Sequence, residues 1–154
     1  MPQHLNSLAY YGKYLRKVLY TLFIEHKLSL PLWDMHIGYG SDILTTLHYY
    51  VIGDPLTLLS VFVPASKTEA LYAFLIFLRI YLAGIAFSRY SFYHKNSKQA
   101  TFMGTMIYIF AGWTIYAAMK HPYFSNPMIY LPLILLGIDT VSYTHLRAHE
   151  TRSN

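Results

Sequence analysis

The sequence predicts an all-α, multi-pass membrane protein, and three observations lead to that fold class. The chain has 154 residues, of which 55% are hydrophobic and 18% aromatic, while only 12% are charged. A soluble domain typically carries about 25% charged residues. The apolar residues are gathered into two blocks of about 20 residues, the length that crosses a hydrocarbon core of roughly 30 Å. The segment before these blocks has the spacing of amphipathic helices.

Two apolar blocks are predicted to be full transmembrane helices, at residues 68–88 and 100–119. A third block, residues 128–138, is too short to cross and is predicted to be a truncated span. The apolar run at residues 55–63 is shorter still and is typical of a re-entrant or interfacial piece. The alternative is the helical core of a soluble protein, in which two separate apolar runs of this length are rare.

The loop charges predict the orientation of the chain in the membrane. Arg89, Lys95 and Lys98 crowd the connection RYSFYHKNSK between the two full spans, whereas the next connection, KHPYFSNP, carries only Lys120. Positively charged loops stay in the cytoplasm. Residues 1–67 are therefore predicted to form an extracytoplasmic loop, and residues 68–140 to form the transmembrane helices.

An amphipathic surface helix is predicted over residues 5–27. Its leucines recur at i, i+3, i+4 and i+7, while lysine, arginine and tyrosine occupy much of the remaining surface. Such a helix suits the membrane interface. Packing on other protein is an equally open interpretation, and both can hold at once.

The composition also excludes several classes of protein. The chain has no cysteine, which excludes disulfides and cysteine-based zinc sites. The formal net charge of +5 comes without a basic cluster on a polar face, so nucleic acid is not an expected partner.

The polar segment WDMHIGYGSDILTTLHYYVIGDPL, residues 33–56, holds the candidate site. It carries Asp34, Asp42 and Asp54, with two histidines between them. For any one of these acids, a helix cap or a turn is the more ordinary role, because Asp42 and Asp54 both precede a helix-start pattern. Three acids together, outside the membrane and before the first full span, favour a site that meets a lipid-linked substrate.

The pattern WD-x-x-x-G-x-G-x-D followed by YY-x-x-x-DP resembles the first extracytoplasmic loop of the bacterial YfhO family. The resemblance continues through LRIYLAGIAFSRY and YIFAGWTIYAAMKHPYFSNPMIYLPLILLGID and covers about residues 3–139. The family consists of multi-span membrane proteins related to the GT-C class of glycosyltransferases. The resemblance implies a GT-C-like helical bundle that moves a sugar from a polyprenyl-phosphate carrier to an extracytoplasmic acceptor, either a teichoic-type polymer or a lipid of the cell envelope.

The chain departs from the family pattern at both ends. Family members begin with a cytoplasmic N-terminus and a first span, and an acid usually precedes the position that matches Gln3. We therefore expect this chain to be a fragment that is inactive alone. Residues 141–154, VSYTHLRAHETRSN, resemble a translated sequencing-library adapter and are expected to be an artefactual tail.

The resemblance makes Asp42 and Asp54 the candidate catalytic residues, since a carboxylate can take the proton of an attacking hydroxyl. Arg79 lies near the centre of the first full span, where a charge must face the bundle interior or a partner. Its guanidinium suits the phosphate of the carrier. The alternative is a structural partner, a carboxylate or carbonyls on a span that this fragment lacks. The residues expected to bind substrate are Arg79, Trp33, Asp34, Tyr49, Tyr50 and His48.

Some GT-C enzymes hold Mg²⁺ or Mn²⁺ with acids of this kind, so a divalent cation is a candidate cofactor, although no spacing in the sequence requires a metal. Two other functions stay open beside the transferase. A segment of a transporter or flippase would also explain acids outside the membrane and an arginine within it. A truncated reading frame would have no independent function.

Overall fold

The computed structural model describes the backbone of residues 2–150 and the side chains of residues 3–143. It divides into two compact units, Met1–Leu75 and Ile76–Asn154. In the first unit, helix α1 (Pro2–Phe23) precedes a two-stranded hairpin, β1 (Trp33–Asp34) and β2 (Ser41–Asp42). The short helix α2 (Ile43–Leu47) and a 3₁₀ segment (Pro55–Phe62) follow. A second 3₁₀ segment, Ala65–Lys67, leads into helix α3 (Thr68–Tyr93).

The core of the first unit lies beneath α1. Its members are apolar or aromatic side chains no more than 8% exposed: Leu8, Tyr11, Ile43, Leu47, Val51, Leu71 and Leu75. Leu8 and Tyr11 lie three residues apart on one face of α1, as the amphipathic pattern predicts. Near its C-terminal end, α1 exposes apolar side chains to solvent; Phe23, for example, is 68% exposed. The predicted helix over residues 5–27 is therefore present, and it ends at Phe23 rather than Lys27.

Helix α1 packs closely on the 3₁₀ segment through Gly12 and Arg16. A Cβ at position 12 would lie 2.6 Å from the carbonyl oxygen of Ser60, so only glycine lets the two backbones approach this far. One turn later, Nη1 of Arg16 donates to the carbonyl oxygens of Ser60, Val61 and Val63 at 2.9–3.1 Å. These bonds hold the last carbonyls of the segment against α1, where a helical segment leaves carbonyls without a full set of internal partners. The run predicted to be re-entrant or interfacial is thus fixed against α1.

The second unit contains the rest of α3 and the helices α4 (Lys98–Ile109), α5 (Gly112–Lys120) and α6 (Pro127–Glu150). A 3₁₀ turn, Pro122–Ser125, connects α5 to α6. The buried apolar side chains of the second unit are mostly alanines. Small residues of this kind let helices approach one another in membrane bundles. Hydroxyl pairs join α3 to α4, with Ser88 and Ser91 each 3.0 Å from a threonine of the next helix.

Within the described residues, three segments meet the length and hydropathy needed to cross a membrane if a bent helix pair is included. Ala65–Tyr93 and Pro122–Tyr143 do so as helical segments, and α4 with α5 do so together, with a bend of 42° between them. The helix predicted at residues 68–88 is present and continues to Tyr93, and its crossing of the membrane at these bounds stays a prediction. The block at residues 100–119 is interrupted where Ala111 adopts an extended backbone, with φ −58° and ψ 146°.

The third apolar block is longer than the predicted truncated span at residues 128–138. Helix α6 accommodates Pro132 and continues beyond Ile138, and the candidate membrane span ends at Tyr143. The difference arises because the 3₁₀ turn adds apolar residues before Pro127. After it, the helix runs on into Val141 and Tyr143, which belong to the tail expected to be artefactual. Only 17% of the 18-residue apolar stretch of this span is buried, which leaves most of its surface free for lipid or for other helices.

Candidate functional site

The polar segment predicted to hold the site folds as a hairpin. Trp33 pairs with Asp42 and Asp34 pairs with Ser41 in antiparallel register. The turn between them uses left-handed backbone at Gly38, Tyr39 and Gly40, which glycine adopts at little cost. Side chains alternate across a β ribbon. Asp34 and Asp42 therefore point to opposite faces and do not form one pair of carboxylates.

Asp34 is the acid that the fold surrounds with donors. The Tyr10 hydroxyl donates to its Oδ2 at 2.5 Å, and the His36 backbone amide donates to its Oδ1 at 2.8 Å. Nδ1 of His36 lies 2.9 Å from the same Oδ1. The Tyr10 bond first, and then the His36 bonds, lower the pKa of Asp34 to about 2. Burial, followed by the bond to Asp34, raises the pKa of Tyr10, so the pair is a phenol and a carboxylate at neutral pH.

A cavity of about 450 Å³ opens beside this carboxylate, and we call it the lysine cavity. One wall is a face of α1, formed by Tyr10, Lys13, Tyr14 and Lys17, and the other comes from the hairpin and its flanks, with Pro31, Trp33, Asp34, Met35, His36 and Ile43. Two cationic side chains thus line the same space as an ionised carboxylate. The indole of Trp33 is 61% exposed, and its Nε1 lies 3.2 Å from the sulfur of Met35.

Asp42 is the N-cap of α2. Its Oδ1 accepts from the amide of Thr45 at 2.7 Å and from the hydroxyl of Thr45 at 2.8 Å. These two bonds lower the pKa of Asp42. The predicted cap is therefore present, and the predicted catalytic role of Asp42 stays a prediction.

Asp54 is also a cap, at the start of the 3₁₀ segment, where its Oδ1 accepts from the amide of Leu56 at 3.0 Å. It is only 2% exposed and lines a cavity of about 230 Å³ with Tyr11, Gly53, Pro55 and Leu58. Burial raises the pKa of Tyr11, and the nearby charges of Tyr14 and Asp54 raise it further. Asp42 and Asp54 line no common cavity among those of the described residues, and their joint role at one reacting centre stays a prediction.

His48 and the tyrosine pair that follows it lie at the C-terminal end of α2, away from its N-cap. Tyr49 and Tyr50 contact each other edge to face, with ring centroids 5.1 Å apart. The Tyr50 hydroxyl donates to the side-chain oxygen of Gln3 at 3.2 Å. His48 is exposed, and its Nδ1 lies 2.6 Å from the carbonyl oxygen of Thr45. Tyr50 thus faces α1, while His48 is occupied with its own helix.

Arg79 is buried in the second unit, with 4% of its surface exposed. Its Nε donates to Oδ1 of Asn126 at 3.0 Å, and Asn126 is also 4% exposed. The guanidinium therefore has a structural partner at the start of α6, within this chain. Binding of the carrier phosphate by Arg79 stays a prediction.

The donor set for a divalent cation was also tested. Among the described residues, no group of three or more histidine, aspartate or glutamate side chains could hold a metal ion. The hairpin points Asp34 and Asp42 apart, and Asp54 is enclosed elsewhere. The described residues therefore offer no preformed cage of protein ligands for Mg²⁺ or Mn²⁺. One or two carboxylates together with substrate phosphates also bind such an ion, and the divalent cation stays a candidate.

Tyr10, Lys13 and Lys17 were not among the predicted site residues. Their signal in the sequence is the spacing i, i+3 and i+7, which places all three on one face of a helix. That face becomes part of a site only because the hairpin, some 20 residues further along the chain, lies against it.

The family model described as "Bacterial membrane protein YfhO" matches residues 14–146 of the chain. No curated protein and no solved structure matches it.

Proposed function

Because the chain belongs to the YfhO family of bacterial membrane proteins, we propose that it is part of a membrane glycosyltransferase. The enzyme moves a sugar from a polyprenyl-phosphate carrier to an acceptor in the cell envelope. The observation that carries this proposal is the lysine cavity, where Lys13 and Lys17 share a space with the ionised Asp34.

A glycosyl phosphate needs both kinds of group that the lysine cavity supplies. Ammonium groups such as those of Lys13 and Lys17 attract the phosphate and stabilise the charge that it gains as it leaves. An ionised carboxylate accepts hydrogen bonds from sugar hydroxyls, and the exposed indole of Trp33 offers an apolar face to a sugar ring. A cavity of about 450 Å³ lies within the range of small-molecule sites.

The low pKa of Asp34 decides which task this acid performs. A carboxylate with a pKa of about 2 is ionised throughout the physiological range. Asp34 is therefore assigned to binding sugar hydroxyls, in agreement with its predicted role as a substrate-binding residue.

The carboxylates of the chemical step are those predicted from the family resemblance, Asp42 and Asp54. Neither of them lines the lysine cavity, so the lysine cavity is assigned to donor binding alone. The acceptor oxygen attacks the anomeric carbon, and its proton passes to the carboxylate. The bond between the anomeric carbon and the phosphate oxygen breaks, and its electron pair leaves with the polyprenyl phosphate. Electrons and protons balance without a metal or a redox partner.

A transporter or flippase segment is the second candidate function, and the bent pair α4 and α5 favours it. Broken helices in transporters place backbone groups at the substrate near the middle of the membrane. The bend of 42° with an extended Ala111 has that form. A transporter would move the lipid-linked sugar without cleaving it.

The test is sugar transfer by the full-length parent protein in its native membrane, with polyprenyl-phosphate-linked glucose and N-acetylglucosamine as donors. We expect Asp34→Asn to lower transfer roughly 10- to 100-fold, because a hydrogen bond to a charged group contributes about 1.5–3 kcal/mol. Lys13→Gln with Lys17→Gln should raise the KM for the donor.

The matched control is Lys27→Gln, which removes an exposed lysine outside the lysine cavity. It should leave transfer and donor KM unchanged. Wild-type rates in both Asp34→Asn and the double lysine variant would refute the proposal. Movement of intact donor across the membrane, with no cleavage, would favour the transporter.

A further inference from the structure

A second cavity, of about 560 Å³, lies at the N-terminal end of α1 in the same unit. Its polar lining comes from neutral side chains, Gln3, Asn6 and Ser7 of α1 with Thr46 and Tyr50 from the segment after the hairpin. No lysine, arginine, aspartate or glutamate is among the residues that line it. We call this space the amide cavity.

The two cavities lie end to end along one face of α1. Gln3, Asn6, Tyr10, Lys13 and Lys17 follow one another at intervals of three or four residues, which is the spacing of a single helical face. The first two turns of this face carry amides and a hydroxyl, and the later turns carry lysines. One helix surface therefore changes from neutral hydrogen-bonding groups to cations along its length.

Tyr10 and His36 line both cavities, so they form the boundary between them. Both bond to the carboxylate of Asp34. A group in the amide cavity and a group in the lysine cavity would thus meet at Tyr10 and His36, the two side chains that line both. That arrangement suits two reactants that approach one another.

The chemistry of the amide cavity identifies its ligand class. Amides and hydroxyls each donate and accept, and such groups bind sugar hydroxyls without favouring a charge. The bond from the Tyr50 hydroxyl to the side-chain oxygen of Gln3 holds two of these groups in place. An anionic ligand would find no cation there, whereas the lysine cavity supplies two.

We propose that the amide cavity binds a neutral, hydroxyl-rich group of the acceptor, while the lysine cavity holds the sugar phosphate of the donor. The assignment of acceptor and donor rests on the proposed glycosyltransferase function. The preference for a neutral polyol over an anion rests on the lining residues alone. The two ligands occupy the protein together, because each has its own cavity.

The experiment measures equilibrium binding to the full chain in lipid nanodiscs, with one probe for each cavity. Methyl β-D-glucopyranoside is the neutral probe, and a short-chain polyprenyl phosphate is the anionic probe. We expect Asn6→Leu to weaken glycoside binding at least 10-fold and to leave polyprenyl-phosphate binding unchanged. Lys13→Gln with Lys17→Gln should do the reverse, so each variant serves as the folding control for the other.

Ser7→Leu is a second variant of the amide cavity and should repeat the Asn6→Leu result. Saturating polyprenyl phosphate should leave the glycoside Kd within a factor of two, and strict competition would instead place both probes in one site. Glycoside binding that is undetectable, or equal in wild type and both leucine variants, overturns the inference. Because neither readout needs turnover, a failure of sugar transfer would refute the proposed function and leave this binding pattern intact.

Discussion

Asp42 caps the N-terminus of α2 through one carboxylate oxygen. Because asparagine can also form this cap, the proposed catalytic role of Asp42 can be tested separately. Asparagine caps a helix about as well as aspartate, whereas alanine in its place costs about 1 kcal/mol. We therefore expect Asp42→Asn to keep α2 and membrane insertion while sugar transfer is lost, because the amide cannot take a proton from the acceptor. Transfer in native membranes and protease resistance measure the two effects. Wild-type transfer in Asp42→Asn, with lower stability in Asp42→Ala, would leave the carboxylate only its capping role.

At the scale of elements, the contact between α1 and the 3₁₀ segment positions the face that lines both cavities. Gly12→Ala would bring a methyl group to 2.6 Å from the backbone oxygen of Ser60, so one element must move. We expect a loss of about 1–3 kcal/mol in unfolding free energy, as for overpacked cores. The matched control is Gly112→Ala, where a Cβ meets no atom within 4 Å and stability should be unchanged or slightly higher. Thermal unfolding in detergent compares the two, and an equal effect of both substitutions would contradict the close packing of α1.

The whole chain is a membrane protein, and its predicted orientation follows from the charges of one loop. The absence of cysteine allows single cysteines to be introduced at Leu28, which is 70% exposed, and at Gln99, which is also exposed. We expect a membrane-impermeant maleimide to label Leu28→Cys in intact cells. Gln99→Cys should react only after permeabilisation, because the connection RYSFYHKNSK beside it is predicted to be cytoplasmic. The opposite pattern of labelling would invert the topology and place the lysine cavity inside the cell.

The sequence by itself determined the membrane class, the family, the helix caps and the position of α3. These features depend on local properties, since hydropathy and capping are read from neighbouring residues. It also predicted Asp34 and Trp33 as substrate-binding residues, although their roles stay to be measured. Only the tertiary structure decided which side chains face Asp34, because Tyr10 is 24 residues away from it in the chain. Likewise, the Asn126 partner of Arg79 lies 47 residues further on, where helical periodicity carries no information. The extended Ala111 between α4 and α5 had no proline to indicate it in the sequence.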